Sequence, residues 1–392
     1  MTRTPQFTMP ALDAAQRAQS AALRKVLAER IEAGGGWIPF DEYLDLLLYA
    51  PGLGYYSAGA AKLGAAGDFT TAPELSGLFG ACIARQCAPL LRGGGEVLEL
   101  GAGSGALAEV LLARLAALGV APDHYFILET SADLRQRQQQ RLGQLPPELH
   151  SRLRWLDRLP AGGLRGLILA NEVADALPFQ CFAVTADGFA ERGVALDAQG
   201  ELGWKERPAA AALRAELAKL ASMLGQPLLP GYRSELCLRL GPWIGGLSAA
   251  LDQGWLLLFD YGLGQSELYH PQRVTGTLRC HYRHRAHDDP FLYPGLQDVT
   301  AWVDFTRLAE AAADAGLTVA GYCTQAAFLL GAGIDAELEA AGSSVERAQR
   351  ASEARQLLMP GEMGESFKAM ALTRGAVEDP TAFGLQDLRR LL

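Results

Sequence analysis

An α/β fold organised around a doubly wound, mostly parallel sheet is predicted by three observations. Short apolar runs alternate with helical patterns between residues 96 and 170. The first of these runs ends in a glycine-rich turn that opens a helix, and the alternation resumes at Trp255 after a mixed stretch. A chain of 392 residues has room for one such core carrying large insertions.

The elements follow in order. Ala14–Ala33 has helical periodicity and leads into a Gly, Pro and Tyr-rich stretch over Gly34–Pro73. Glu96–Leu100 is the first strand and Ala106–Leu118 its helix; Tyr125–Leu128 is the second strand, followed by a helix over Ala132–Leu142. Leu153–Trp155 and Leu167–Ala170 supply the third and fourth strands. The alternation then pauses for about eighty residues. This interval holds a polar–apolar strand near Cys181–Val184 and a helix over Pro208–Leu224, where proline suits the first turn. Trp255–Phe259 and Leu317–Tyr322 resume the sheet, and the tail beyond Ile334 has a helical pattern. The expected organisation is an N-terminal helical and cover region (1–92), the first half of the core (93–180), a substrate-site insertion (181–250), the second half of the core (251–330) with a loop insertion at 263–300, and a C-terminal helical segment (331–392).

Composition narrows the function classes. Forty-nine per cent hydrophobic and 20% charged residues describe a folded chain, and the densest apolar run stops at Asp260, too short to span a bilayer. Lys plus Arg number 35 against 44 Asp plus Glu, a formal charge of −9 that argues against a nucleic-acid partner and favours a cationic ligand or protein segment. Six scattered cysteines without a Cys-x-x-Cys pair read as reduced thiols. Arg3, Arg17 and Arg24 give the start a faint presequence character; a bacterial cytoplasmic location is the plainer expectation.

Gly101, Gly103 and Gly105 lie in Glu99-Leu-Gly-Ala-Gly-Ser-Gly105, between the first strand and its helix, where open α/β sheets bind ligands. Read as Gly101-x-Gly103-x-x-Ala106, the loop also fits a dinucleotide fingerprint, which keeps a NAD or FAD oxidoreductase open. Glu99 favours S-adenosyl-L-methionine, since an anion just before the glycines repels a pyrophosphate and attracts a sulfonium or an ammonium. Glu129, at the end of the second strand, either accepts from both ribose hydroxyls or is a solvated strand-end acid. Asp157, after the third strand, either bonds the adenine amino group or occupies a surface turn.

Further motifs surround this core: Ile38-Pro-Phe-Asp-Glu-Tyr43, Tyr49-Ala-Pro-Gly-Leu-Gly-Tyr-Tyr56, Gly67-Asp-Phe-Thr-Thr-Ala-Pro-Glu74, Asn171-Glu-Val-Ala-Asp-Ala-Leu-Pro178, Asp260-Tyr-Gly262 and Gly276-Thr-Leu-Arg279. With them the chain resembles, over most of its length, the MidA family of S-adenosylmethionine-dependent methyltransferases, a group that includes the mitochondrial complex I assembly methyltransferase. The resemblance implies a class I, Rossmann-like methyltransferase fold. It further implies an arginine target on a protein client, with a complex I quinone-module subunit as the candidate partner. Asp68 and Thr70, in a Gly-Asp turn before a helix start, read either as a cover over the methionine end of the cofactor or as a capped helix entry.

The nucleophile of a methyl transfer must be aimed from the end of the fourth strand, which Asn171, Glu172 and Asp175 occupy. Two carboxylates and an amide oxygen suit a guanidinium, so Glu172 and Asp175 are expected to clamp it while Asn171 orients it or the cofactor. The alternative is that Asp175 caps a following turn and Glu172 is structural. The Pro-Pro-aromatic sequence used for planar base targets is missing from this position. Cys280, His281, His284 and His287 invite a metal reading, but Arg279, Arg283 and Arg285 between them repel a divalent ion. A non-catalytic assembly factor that keeps the cofactor for structure is the remaining alternative.

Overall fold

The computed structural model describes residues 9–58, 71–340 and 342–392. Among the described residues the central sheet has seven strands on its main path, β1 (Glu96–Leu100), β2 (His124–Leu128), β3 (Leu153–Leu156), β4 (Leu164–Asn171), β5 (Leu251–Leu263), β6 (Thr318–Thr324) and β7 (Phe367–Arg374), and an eighth, Val303–Asp304, that pairs with the end of β5. They lie in the order β3-β2-β1-β4-β5-β7-β6. Pairings from β3 to β5 are parallel, and β7 enters antiparallel to both β5 and β6. Both faces are covered, which is why the strands read as continuous apolar runs. Val97, Ile127, Leu167, Leu257 and Ala369 pack with Phe79, Leu111 and Phe328. Their neighbours in sequence, Leu98, Ile168, Leu256 and Met370, pack with Ile244, Leu247 and Phe305.

The chain runs outward from β1 to β3 and then returns to the other side of β1 as β4. This reversal opens a crevice at the carboxyl ends of β1 and β4, and it brings the glycine loop beside Asn171. An added Cβ on Gly101 would sit 3.4 Å from Val173 Cγ2, so the two loops nearly touch.

Two segments differ from the sequence expectation. The 331–392 segment is not wholly helical: its Phe367–Arg374 stretch is β7, buried between β5 and β6. Seven of its eight residues are buried, so no amphipathic alternation marks it as a strand. The expected 181–250 insertion also ends early. Helix Leu240–Ala250 packs in the core layer under β4 and β5 and is the crossover into β5.

The rest of the insertion joins the N-terminal cover. Strand Ile38–Pro39 pairs antiparallel with Gly188–Leu196, which also pairs with Gln180–Thr185 and Leu202–Pro208. Helices Ala14–Ala33 and Phe40–Tyr49 share one apolar core with Phe179, Cys181 and Val194 of this sheet and with Cys280 and Val299 of the 263–300 loop. That loop is itself a small sheet, with Arg279–Tyr282 between Arg285–His287 and Asp298–Thr300. Three distant stretches of chain thus build one cover. Among the described residues no helix is long and apolar enough to cross a membrane.

Phe40 stands at the centre of the cover, fully buried, with its ring 5.7 Å from Phe179 and 4.7 Å from Trp204. Phe40→Ala is expected to cost about 3–5 kcal/mol. Hydrogen exchange should then quicken in strands Gln180–Thr185 and Gly188–Leu196 while β4 and β5 stay protected; equal loss in all four would show that cover and core open together.

Candidate active site

A cavity of about 540 Å³ occupies the crevice, lined by the ends of β1, β2 and β4 with their loops, by helix Leu240–Ala250 and by Tyr49 and Tyr56 of the cover. Gly101, Gly103 and Gly105 hold φ of 58°, 55° and 85°, values open to glycine at little cost. Gly101 N donates to Leu128 O at 2.9 Å, which ties the loop to β2. Gly101 and Gly103 face the cavity, whereas Gly105 lies behind them as the entry to helix Ala106–Ala117. Ser104 Oγ donates to Glu74 of the cover and accepts from Arg141 Nη1 at 3.0 Å.

Glu99 is 3% exposed and lines the cavity, with the Tyr125 hydroxyl donating to its Oε2 at 2.6 Å. Burial pushes its carboxyl up to about 7; the Tyr125 hydrogen bond opposes this, and nearby Glu129 adds to it. Glu129 also lines the cavity and accepts from Ser131 N at 2.8 Å. Asp157 does not reach it. Its side chain is 86% exposed and pairs with Arg135 at 2.6 Å, so of the two sequence readings the structure realises the surface turn. The apolar side chains of Leu128, Leu134 and Leu159 instead present a surface for a purine. Asp68 and Thr70 lie outside the described residues.

At the end of β4, Glu172 adopts φ 54°, a left-handed backbone costing about 1–3 kcal/mol outside glycine. Its amide donates to Phe259 O of β5 at 2.9 Å. Its carboxylate accepts from Asn171 Nδ2 at 3.1 Å and from the Tyr261 hydroxyl at 3.2 Å. Desolvation first, then the neighbouring Asp260, pushes this carboxyl up to about 8, against the two hydrogen bonds. Asn171 Oδ1 is buried with no hydrogen-bond partner. An acceptor left so costs about 1–3 kcal/mol until a donor arrives.

Asp175 is not beside Glu172 in the cavity wall, and the expected two-carboxylate clamp is corrected on this point. It is buried behind the wall, lining a void of about 20 Å³ with Asp304 and Arg307. Desolvation and the carboxylates of Asp260, Asp298 and Glu172 raise its pKa well above the usual range. The spacing Glu172-x-x-Asp175 would share a face only on a helix, and the chain here is a turn. Asp260 anchors that turn by accepting from the backbone amides of Ala174 at 2.9 Å and Asp175 at 3.2 Å.

Sequence reasoning assigned no role to Tyr49, Glu74, Gln138, Asp260 and Tyr261. Asp260 and Tyr261 carried a local signal, since a polar pair ending an apolar run on a strand next to β4 falls at the ligand edge of the sheet. The metal reading of the histidines finds no support: among the described residues no three His, Cys, Asp or Glu are placed to hold an ion.

The cavity suits S-adenosylmethionine: a glycine cradle, an acid at the end of β2, an apolar wall, and the buried Glu99 carboxyl, which would ionise toward a cation and offers nothing to a pyrophosphate. These features define a class I S-adenosylmethionine-dependent methyltransferase. The chain belongs to the MidA family of these enzymes, whose S-adenosyl-L-methionine-dependent methyltransferase pattern matches residues 82–323. It is 31% identical over 391 residues to the protein arginine methyltransferase NDUFAF7, mitochondrial, of Danio rerio, covering 91% of this chain and 87% of the relative. The Homo sapiens counterpart is 29% identical over 376 residues, covering 86% and 80%. A Burkholderia thailandensis protein crystallised with S-adenosyl-homocysteine is 43% identical, with TM-score 0.92 over 98% of this chain and 100% of that one. The cofactor is S-adenosyl-L-methionine, and the oxidoreductase alternative falls.

The raised carboxyls carry a sign that can be checked. Glu99 holds its proton in the folded, empty site well above the unfolded value of about 4.3. Its contribution to stability is therefore complete below about pH 4 and is lost as pH rises through about 7, and Glu172 extends the window to about 8. The melting temperature of the ligand-free protein should fall from about pH 5 to about pH 8, and Glu99→Gln should flatten the slope. A wild-type profile no steeper than that of the variant would exclude a neutral Glu99.

Proposed function

We propose that this chain methylates an arginine side chain of a protein client, in the bacterial cytoplasm, with a quinone-module subunit of respiratory complex I as the candidate. The observation that carries the reading is Glu172 at the end of β4, beside the partnerless Asn171 oxygen. Glu172, Asp175 and Asp260 enter no ion pair among the described residues. A site with acceptors to spare and no resident cation calls for a ligand that is cationic and rich in N–H donors. Guanidinium meets both conditions, and the names borne by relatives at about 30% identity support that choice.

S-adenosylmethionine supplies an electrophilic methyl on a positively charged sulfur. The residues do the rest. Glu172 accepts two guanidinium N–H bonds and draws positive charge toward the nitrogens it holds, leaving electron density on the third. Asn171 Oδ1 accepts from the attacking nitrogen and aims it. When the methyl bonds to that nitrogen, the S–C bond breaks with its electron pair left on the sulfur, and the nitrogen would give up one proton to the Glu172 carboxylate. The stacked rings of Tyr49 and Tyr56, 5.5 Å apart, close the cavity over the planar group and exclude water.

Glu172→Gln should lower kcat on an arginine-containing client by about 10²- to 10⁴-fold while S-adenosylhomocysteine affinity stays within about threefold. Mass spectrometry of arginine methylation on the complex I quinone-module subunits, with and without the gene, identifies the client. Transfer to lysine or to a carboxylate instead would overturn the arginine reading.

A further inference from the structure

Helix Ala132–Leu142 follows β2 and is mostly polar, yet Gln138 in its middle is fully buried. A neutral amide in that place needs partners, and it has three, each from a different strand or loop of the cofactor crevice. Gln138 Nε2 donates to Glu129 Oε2 at 3.0 Å and to Gly103 O at 3.0 Å. Its Oε1 accepts from Trp155 Nε1 of β3 at 3.0 Å. The indole fixes which way the amide points, and the amide in turn presents its NH₂ to the carboxylate and the glycine loop together. Gly105 packs beside it, where an added Cβ would be in ordinary contact, 3.5 Å from Gln138 Cα.

Glutamate would set a second carboxylate against Glu129, and an apolar residue would leave a carboxylate oxygen, a carbonyl and an indole N–H without their partner. Ser131 N already holds the other Glu129 oxygen, so Gln138 completes the hold on that side chain. The same NH₂ sets the height of Gly103 at the cavity floor.

We infer that Gln138 is the positioning residue of the cofactor site, fixing the Glu129 carboxylate against the ribose hydroxyls and the Gly103 carbonyl below them as one unit. This rests on the reading of Glu129 as the ribose acceptor. Gln138 is not a catalytic residue, because it touches neither the cofactor cavity nor the methyl acceptor.

The test is titration calorimetry of the full-length protein with S-adenosylhomocysteine and with its 2′-deoxy analogue. Wild type should bind the analogue about tenfold or more weakly. Gln138→Met, similar in length, should weaken S-adenosylhomocysteine about 10- to 100-fold and the analogue far less, since the hydroxyl contact is already gone. KM for the cofactor should rise with kcat at saturation within about threefold. If wild type does not distinguish the two ligands, the ribose reading of Glu129 fails and the inference with it. If wild type distinguishes them and Gln138→Met does so equally at unchanged affinity, the inference alone is overturned. Trp155→Phe, which keeps an aromatic ring but removes the N–H that orients the amide, covers the case in which Gln138→Met does not fold. It should weaken S-adenosylhomocysteine about threefold or more, and unchanged affinity would again overturn the inference.

Discussion

A carboxylate taken out of water is among the costliest groups a protein can hold, and this chain gathers several around the carboxyl ends of β1, β2, β4 and β5. Glu99, Glu129, Asp175, Asp260 and Asp298 are buried there, with Glu172 half-buried among them. Much of the surrounding architecture serves to hold them. Backbone amides of the turn after β4 converge on Asp260, the Tyr125 and Tyr261 hydroxyls reach Glu99 and Glu172, and the Tyr56 hydroxyl donates to Asp298 at 3.0 Å. Hydroxyls and amides can hold a carboxyl in either protonation state, whereas an arginine partner would fix it as an anion and occupy the place of the ligand. The fold thus keeps negative potential in reserve and lets the incoming cation bring it out.

This arrangement explains why the cover is built from three separate stretches. Tyr56 and Tyr49 come from the N-terminal region, Asp298 from the loop after β5, and the strands that carry the load from the insertion after β4. All three share one core, and the insertion adds a second cluster around Leu213, Leu217 and Leu220. Locked together through Phe40 and Phe179, they set two aromatic rings over the acid edge at a fixed height. Precision at the site comes from packing well away from it.

The parallel core and the glycine loop were legible in the sequence because each rests on a local cause. Apolar runs mark strands buried on both faces, and glycines mark a left-handed turn beside a ligand. Strand β7 was not legible, since its composition fits a buried helix equally well and only the slot between β5 and β6 decides. Asp175 was misjudged because sequence spacing says nothing of direction in a turn. Asp157 stood one residue past its strand, where a single rotation separates the cavity from solvent. Gln138 was the least visible: its meaning lies in three partners at sequence separations of 9, 17 and 35, and no periodicity records such a convergence.

The late position of β7 has a consequence for biosynthesis. Strand β5 carries Asp260, the anchor of the turn after β4, yet its antiparallel neighbour β7 is translated only after both of the strands it joins. Until then β5 and β6 present open edges, the kind of surface on which nascent chains mispair. The glycine loop and all three stretches of the cover are thus translated before the strand that fills the gap between β5 and β6. Translational pausing or chaperone capture between β6 and β7 would act on completion of the sheet after the glycine loop has been made.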